Sequence, residues 1–177
     1  FPPHPHRGMQ TLTYMKHGGI IHEDSRGNRG EIRGGGVQWM SAGRGIIHSE
    51  MPTSDTQGLH GFQLWINLPA GEKMGEPRYR DIPAEALTRS EGGGFTALTI
   101  AGDWQLGAIA SRGPLQELAP RAGLVDVTLL AGSQGASVLL LRGQPIGEPV
   151  AQYGPFVMNT PAEIEQAIRD YQTGDFG

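Results

Sequence analysis

Cysteine is absent from the 177 residues. That excludes disulfides and thiolate metal sites, and leaves histidine, carboxylates and amides as the side chains able to hold a metal. It also favours an intracellular setting, and a cytoplasmic location is the expectation. Long apolar runs are lacking too, and no stretch approaches the roughly 20 residues of a membrane span. The first residues carry no signal-peptide pattern. Charge is sparse and nearly balanced, 14 Lys and Arg against 18 Asp and Glu for a net −4, with no run of one sign. Nothing in that distribution suits a nucleic acid or a membrane surface. Helical periodicity is missing from the first eighty or so positions as well.

What the chain has instead is glycine and proline, 28 and 13 residues. Such a composition suits many short strands joined by tight turns. "MQTLTYMK" alternates apolar and polar residues as a half-buried strand does. "GGIIHED", "GGGVQWM", "GIIHSEM" and "HGFQLWINLP" are short, apolar-rich and bounded by Gly or Pro, and "SRGNRG" is a turn signal. Five strands in this pattern predict an antiparallel barrel or sandwich. "PAEALTR" predicts a short helix in a linker. Beyond it, "FTALTIAG", "LVDVTLLAG" and "SVLLLRG" predict about three more strands, fewer than the roughly eight of a closed jelly roll. The last element is an α-helix over about 161–173. Thr160 is its N-cap, Pro161 stands at N1, Glu163 completes a capping box, and Gly174 ends it. Ile164, Ala167, Ile168 and Tyr171 give it one apolar face, expected to pack on a sheet.

Two short spacings carry the chemistry. His4 and His6 in "FPPHPHRG" stand at i and i+2, which on a strand places both side chains on one face. His48 and Glu50 in "GIIHSEM" repeat that spacing. Glu50 sits in apolar company, where a carboxylate needs exposure, a partner or a cation. Each pair alone has an ordinary reading, a solvated chain end for the first and a hydrogen-bonded core histidine for the second. Placed on adjacent strands, the two pairs give three imidazoles and one carboxylate. Such a set suits Fe(II), Mn(II), Ni(II), Cu(II) or Zn(II) with positions left open for water or substrate. His17, beside a Gly-Gly turn, is read as solvated, and His60, opening a strand, as packed or hydrogen-bonded there. His22 is read as a satisfied structural residue, with a supporting place beside the cavity as the alternative. Arg7 and Arg44 are structural anchors or attractors of an anionic substrate. "GRG" at 43–45 is a turn rather than a phosphate cradle, because no helix follows it.

"FPPHPHRG", "QWMSAGRGIIHSEMP", "GFQLWINLP" and "YGPFVMNTPAEIEQAI" together closely resemble the pirin family of the cupin superfamily. The resemblance implies an all-β chain of two stacked cupin barrels with a short C-terminal helix. The N-terminal barrel, residues 1–85, would be the metal-binding one, and a metal-free C-terminal barrel would occupy 86–177. The family's metal ligands fall on His4, His6, His48 and Glu50. Many cupins carry a ligand Glu where this chain has Gln10, so the carboxylate must come from Glu50, as in pirins. The metal implied is one divalent ion, iron first, with Mn, Ni, Co, Cu or Zn as substitutes.

Bacterial pirins that resemble quercetin 2,3-dioxygenases imply oxidative ring opening of a flavonol-like substrate with O2. Glu50 would then be a catalytic residue that accepts the substrate proton. The alternative is a non-enzymatic iron and redox sensor that binds a transcription factor or a metabolic enzyme. A zinc hydrolase is a weaker fit, since the further Asp and His ligands are absent near His4 and His6. A monomer is expected, with no direct nucleic-acid binding. Because pirins have strands before "HPH" and more strands in the second barrel, residues are expected to precede Phe1, and a segment to be omitted near Ser133 and Gln134.

Overall fold

The computed structural model describes residues 1–118, 121–130 and 135–177. The proposed omission at Ser133 and Gln134 therefore lies outside the described residues. The chain divides into two compact units, Phe1–Pro83 together with Ile146–Gly177, and Ala84–Pro145.

In the first unit, strands β1 (His4–His6), β2 (Met9–His17), β3 (Gly19–Asp24), β4 (Arg29–Arg33), β5 (Val37–Ser41), β6 (Ile46–Pro52), β7 (His60–Asn67) and β8 (Arg78–Ile82) form two antiparallel four-stranded sheets. Their orders are β1-β6-β3-β4 and β7-β2-β5-β8. Consecutive strands often lie in different sheets, so the chain crosses repeatedly between the two layers. Pro5 is tolerated inside β1 because β1 is an edge strand, where a missing N–H breaks no ladder. Gly8 turns the chain from β1 into β2 at φ +77. A Cβ there would lie 2.2 Å from the Val157 carbonyl oxygen, so the position admits only glycine without a shift.

The second unit holds β9 (Thr88–Gly92), β10 (Phe95–Ala101), β11 (Asp103–Leu106), β12 (Ile109–Arg112), β13 (Gly123–Leu129) and β14 (Ala136–Arg142). They form a four-stranded sheet, β14-β13-β10-β9, and the hairpin β11-β12. Ala97, Val125 and Val127 are its core, with Phe95, Trp104 and Leu106 packed against them.

The C-terminal segment returns to the first unit as the hairpin β15 (Ala151–Tyr153), β16 (Phe156–Met158) and the helix α1 (Pro161–Thr173). The family-like division at residue 86 thus differs from the division by contacts, and the reason is specific. Val157 N donates to the Arg7 carbonyl at 3.1 Å. The Arg7 guanidinium pairs with Asp170 at 2.6 Å and lies over the Phe176 ring. Helix α1 has the expected Thr160–Glu163 capping box and a left-handed Gly174 at its end. Its Ile164 and Ala167 pack on Phe156 and Met158.

Three local expectations change. Residues Met9–Met15 are buried on both strand faces, not one. Their buried polar members are divided between those faces, Thr11 and Thr13 on one and Gln10 on the other. "PAEALTR" makes a single 3-10 turn, Ala84–Ala86, before β9 begins at Thr88. The "SRGNRG" turn is also shorter than its signal, since β4 already starts at Arg29. No helix among the described residues is long and apolar enough to cross a membrane.

Candidate metal centre

Strand pairing brings the two spacings together. β1 lies antiparallel to β6 with His4 opposite His48, and β3 lies on the other side of β6 with His22 opposite Glu50 and Asp24 opposite His48. Residues directly opposite in a ladder share a face. His4, His6, His22, Asp24, His48 and Glu50 therefore all look inward from one sheet. Ring nitrogens of His4, His6 and His48 lie within 4.8 Å of one another. The His4–His48 ring centroids are 4.3 Å apart, and His6 stands 4.9 and 5.0 Å from the two.

These rings are poised as neutral donors. Both ring nitrogens of His6 and Nε2 of His48 are buried with no hydrogen-bond partner. An orphaned buried nitrogen is costly unless something outside the protein's own polar groups satisfies it, and a cation does so. His4 Nδ1 is 2.8 Å from the Pro2 carbonyl, which can only accept, so that nitrogen carries the hydrogen and Nε2 is left bare. Burial, with His4 alongside, lowers the His6 pKa to about 4. Burial and the neighbouring imidazoles push His48 lower still. Rings that resist protonation keep the lone pairs a metal needs. The residues present thus fit a divalent metal ion.

Glu50 lies outside the three-histidine group, two residues beyond His48. Its carboxylate accepts from Gln63 Nε2 at 2.9 and 2.7 Å and from Thr13 Oγ1 at 3.3 Å. Gln63 is oriented in turn, since its Oε1 accepts from Trp65 Nε1 at 3.5 Å. Trp65 also sets its edge against the His6 ring at 5.1 Å. Glu50, Gln63 and Thr13 are the polar part of a cavity of about 350 Å³ whose remaining lining includes Phe1, Met15, Ile20, Leu59 and Phe62. The arrangement sets a hydrogen-bonded carboxylate in the wall of an apolar pocket of ligand size, two residues from His48, while the three imidazoles themselves are not in its lining.

Beside the histidines runs a polar network that spacing within one strand cannot reveal, buried at Thr13 and Gln38, half-buried at Tyr79 and Asp81 and exposed at Gln63. Gln63, Thr13, Gln38 and Asp81 stand in register as one row across the second sheet. Tyr79 OH donates to the Asp81 carboxylate at 2.7 Å, and Gln38 Nε2 donates to both at 3.0 and 3.1 Å. Burial, then Asp81, pushes the Tyr79 phenol well above its ordinary pKa, so it is a fixed donor. Tyr79 stacks on His22 at 4.4 Å and 24°. Gly30, opposite His22 in β4, leaves the room: a Cβ there would lie 1.9 Å from Asp81 and 2.0 Å from the Tyr79 hydroxyl. The signal for this row was a polar residue inside an apolar run, as in "VQWM", whose strand is buried throughout, and "GFQLW", whose strand is largely exposed.

The other singled-out residues separate cleanly. His22 is fully buried, with Nε2 3.1 Å from Asp24 and Nδ1 3.3 Å from His48 Nδ1, so it supports the cavity rather than only filling space. His17 and His60 are exposed, and the His60 ring lies 6.0 Å from Phe62. Arg7 is an anchor to Asp170, and Arg44 an anchor to Glu76. Residues 43–45 form a turn with Gly43 at φ +51.

Two family models, Pirin and Pirin C-terminal cupin domain, match residues 1–66 and 86–177. The chain belongs to the pirin family. As a pirin it is 41% identical to the Vibrio cholerae protein named "Putative quercetin 2,3-dioxygenase", over 224 aligned residues that cover 99% of this chain and 79% of that one. It is 38% identical to Pirin-1 of Arabidopsis thaliana, covering 100% of this chain and 78% of that protein. The crystal structure of quercetin 2,3-dioxygenase from Acinetobacter baumannii superposes with a TM-score of 0.88 at 30% identity, over 99% of this chain and 78% of that one. The fold of this pirin is therefore of the cupin type. An alignment of 224 positions exceeds the 177 residues here, so the Vibrio relative carries segments with no counterpart in this sequence.

Proposed function

We propose that this pirin holds one divalent transition-metal ion, iron first, on His4, His6 and His48, with Glu50 as the carboxylate of the set. Its activity would be the oxidative ring opening of quercetin-type flavonols with O2. The observation that carries the reading is the convergence of three imidazoles, those of His6 and His48 buried with Nε2 unpartnered, two residues before Glu50, the one carboxylate in the lining of a largely apolar cavity. The relatives named as quercetin 2,3-dioxygenases supply the substrate class.

A metal held by His4, His6 and His48 would supply Lewis acidity and a template for an anionic substrate oxygen and O2. The protein's own groups do the rest. Met15, Ile20, Leu59 and Phe62 hold a flat aromatic ring system and exclude water from it. Glu50, in the wall of that cavity, would accept the proton of a substrate hydroxyl. Gln63, donating to both Glu50 oxygens, keeps the carboxylate in one orientation while it does so.

The test is anaerobic addition of quercetin to protein loaded with Fe(II), followed by oxygen. Loss of the flavonol absorbance at a rate that scales with protein is expected, with Glu50→Gln at least tenfold slower, within the range of a general-base contribution of roughly 10²–10⁴-fold. Absence of turnover with each of Fe, Mn, Ni, Co and Cu overturns the reading.

A further inference from the structure

We propose that His22 and Asp24 are positioning residues which dictate the tautomer of His48, so that its Nε2 faces His4 and His6 without a hydrogen. The consequence for metal affinity rests on the metal-binding reading above, whereas the tautomer itself does not.

The chain of hydrogen bonds has one direction. Asp24 Oδ1 accepts from the backbone N–H groups of Arg26 and Asn28 at 2.9 and 3.0 Å. Its Oδ2 accepts from Asn28 Nδ2 at 2.8 Å and lies 3.1 Å from His22 Nε2. A carboxylate so held only accepts, so the His22 hydrogen sits on Nε2. A neutral His22 then has a bare Nδ1, and that atom faces His48 Nδ1 at 3.3 Å. Of two facing ring nitrogens one must donate, and only His48 Nδ1 is left to do so. The second nitrogen of His48 is consequently bare, and it is the buried Nε2 that has no partner in the protein. The opposite assignment would put the hydrogen on the buried, unpartnered Nε2 and take its lone pair from a cation. Water cannot relieve the constraint, because the side chains of His22 and Asp24 are fully enclosed. The Tyr79 stack fixes the plane of the His22 ring.

Asp24→Asn is a sharp probe. Two backbone N–H groups claim the Oδ1 position, so the amide oxygen goes there, the NH2 group turns toward His22, and the Asn28 amide, which donates to Oδ2 in the parent, flips to present its oxygen. That reverses the chain: His22 becomes protonated at Nδ1 and His48 at Nε2.

Long-range ¹H–¹⁵N spectra of the metal-free, histidine-labelled full chain read each tautomer directly. The expected result is His48 protonated at Nδ1 and His22 at Nε2 in the parent, with both exchanged in Asp24→Asn. Titration with Co2+ should show affinity about 10–100-fold weaker in Asp24→Asn and His22→Leu, as removal of a ligand's outer partner does. His22→Gln, whose amide oxygen can accept from His48 while its NH2 meets Asp24, should keep affinity within about threefold of the parent, well short of that loss. His48 found protonated at Nε2 in the parent overturns the proposal. So does an Asp24→Asn protein with unchanged tautomers, or a His22→Leu protein that binds Co2+ as His22→Gln does. If Asp24→Asn does not fold, the parent spectra and the two His22 variants still decide. A parent that shows the tautomer but binds no Co2+ removes the metal reading and leaves the hydrogen-bond chain standing.

Discussion

At the scale of single residues, the buried imidazoles make the metal-free protein acid-sensitive in a definite window. An unfolded chain protonates its histidines near 6.5, whereas folded His6 holds out to about 4 and His48 beyond that. Between those values the unfolded state binds more protons, so stability falls as pH falls, by up to about 1.4 kcal/mol per pH unit for each of the two. Below that, Asp24 adds to the loss in the same direction. Burial would raise its pKa, but hydrogen bonds from Asn28, His22 and Arg26 outweigh burial and hold it under the ordinary value. Urea unfolding of metal-free protein at pH 7.5, 6 and 5 measures the effect. A flat profile over that interval would mean that His6 and His48 are not enclosed as described. Gln63 is the second residue to test. Replacing it with Leu strips the Glu50 carboxylate of its two shortest hydrogen bonds and leaves only Thr13. The expected cost is about 1–3 kcal/mol in the same assay, the usual price of a buried group left short of partners. An unchanged midpoint would show that Glu50 finds other donors.

At the scale of elements, the junction between β1, β2 and β16 holds the strand of His4 and His6 in place. Gly8 and Lys73 make it. The Lys73 amine, almost fully buried, donates to the carbonyls of Gly8 and Val157 at 2.7 Å each and to Asn67 Oδ1 at 2.5 Å. Lys73→Met keeps the bulk but leaves two buried carbonyls unpaired, with an expected loss of about 2–4 kcal/mol. Gly8→Ala is expected to cost at least about 2 kcal/mol, since it combines a left-handed backbone with a contact on the Val157 carbonyl. Thr160→Ala, at the exposed cap of α1, should cost only about 1 kcal/mol. Unfolding free energies in that order support the junction, whereas a Thr160→Ala loss larger than that of Lys73→Met would sink it.

Legibility followed the same lines. β2, β3, β5, β6, β7, β10, β13, β14 and α1 could be read from apolar runs between glycines, or from a capping box. The strands that stayed hidden are short and, apart from the apolar β16, rich in polar residues: β4, β8, β9, β11 and β12 have four or five residues each, and β15 and β16 three. Their identity comes from pairing, which no window of sequence contains. The ligand candidates were legible because i, i+2 spacing is local. Gln63, Thr13, Asp24 and Tyr79 were not, because register between distant strands selects them.

At the scale of the whole molecule, a metal should be felt unevenly. The proposed ligands come from β1 and β6, held by β3, all within the unit formed by Phe1–Pro83 and Ile146–Gly177. Residues Ala84–Pro145 contribute none of the proposed ligands. Binding to the folded state alone stabilises it by about 2.7 kcal/mol when free metal is a hundred times the dissociation constant. Adding Ni2+ or Co2+ to the metal-free protein should therefore raise the unfolding midpoint. Chelation should reverse the shift. Hydrogen exchange locates it. Amides of β1, β3 and β6 should gain protection on loading, because β1 is an edge strand of few residues whose opening exposes His4 and His6. Amides that open only locally within β10 and β13 should exchange at the same rate with and without metal. Equal slowing in both units would mean that the metal stabilises only global unfolding. Slowing confined to β10 and β13 would place the ion somewhere other than on His4, His6 and His48.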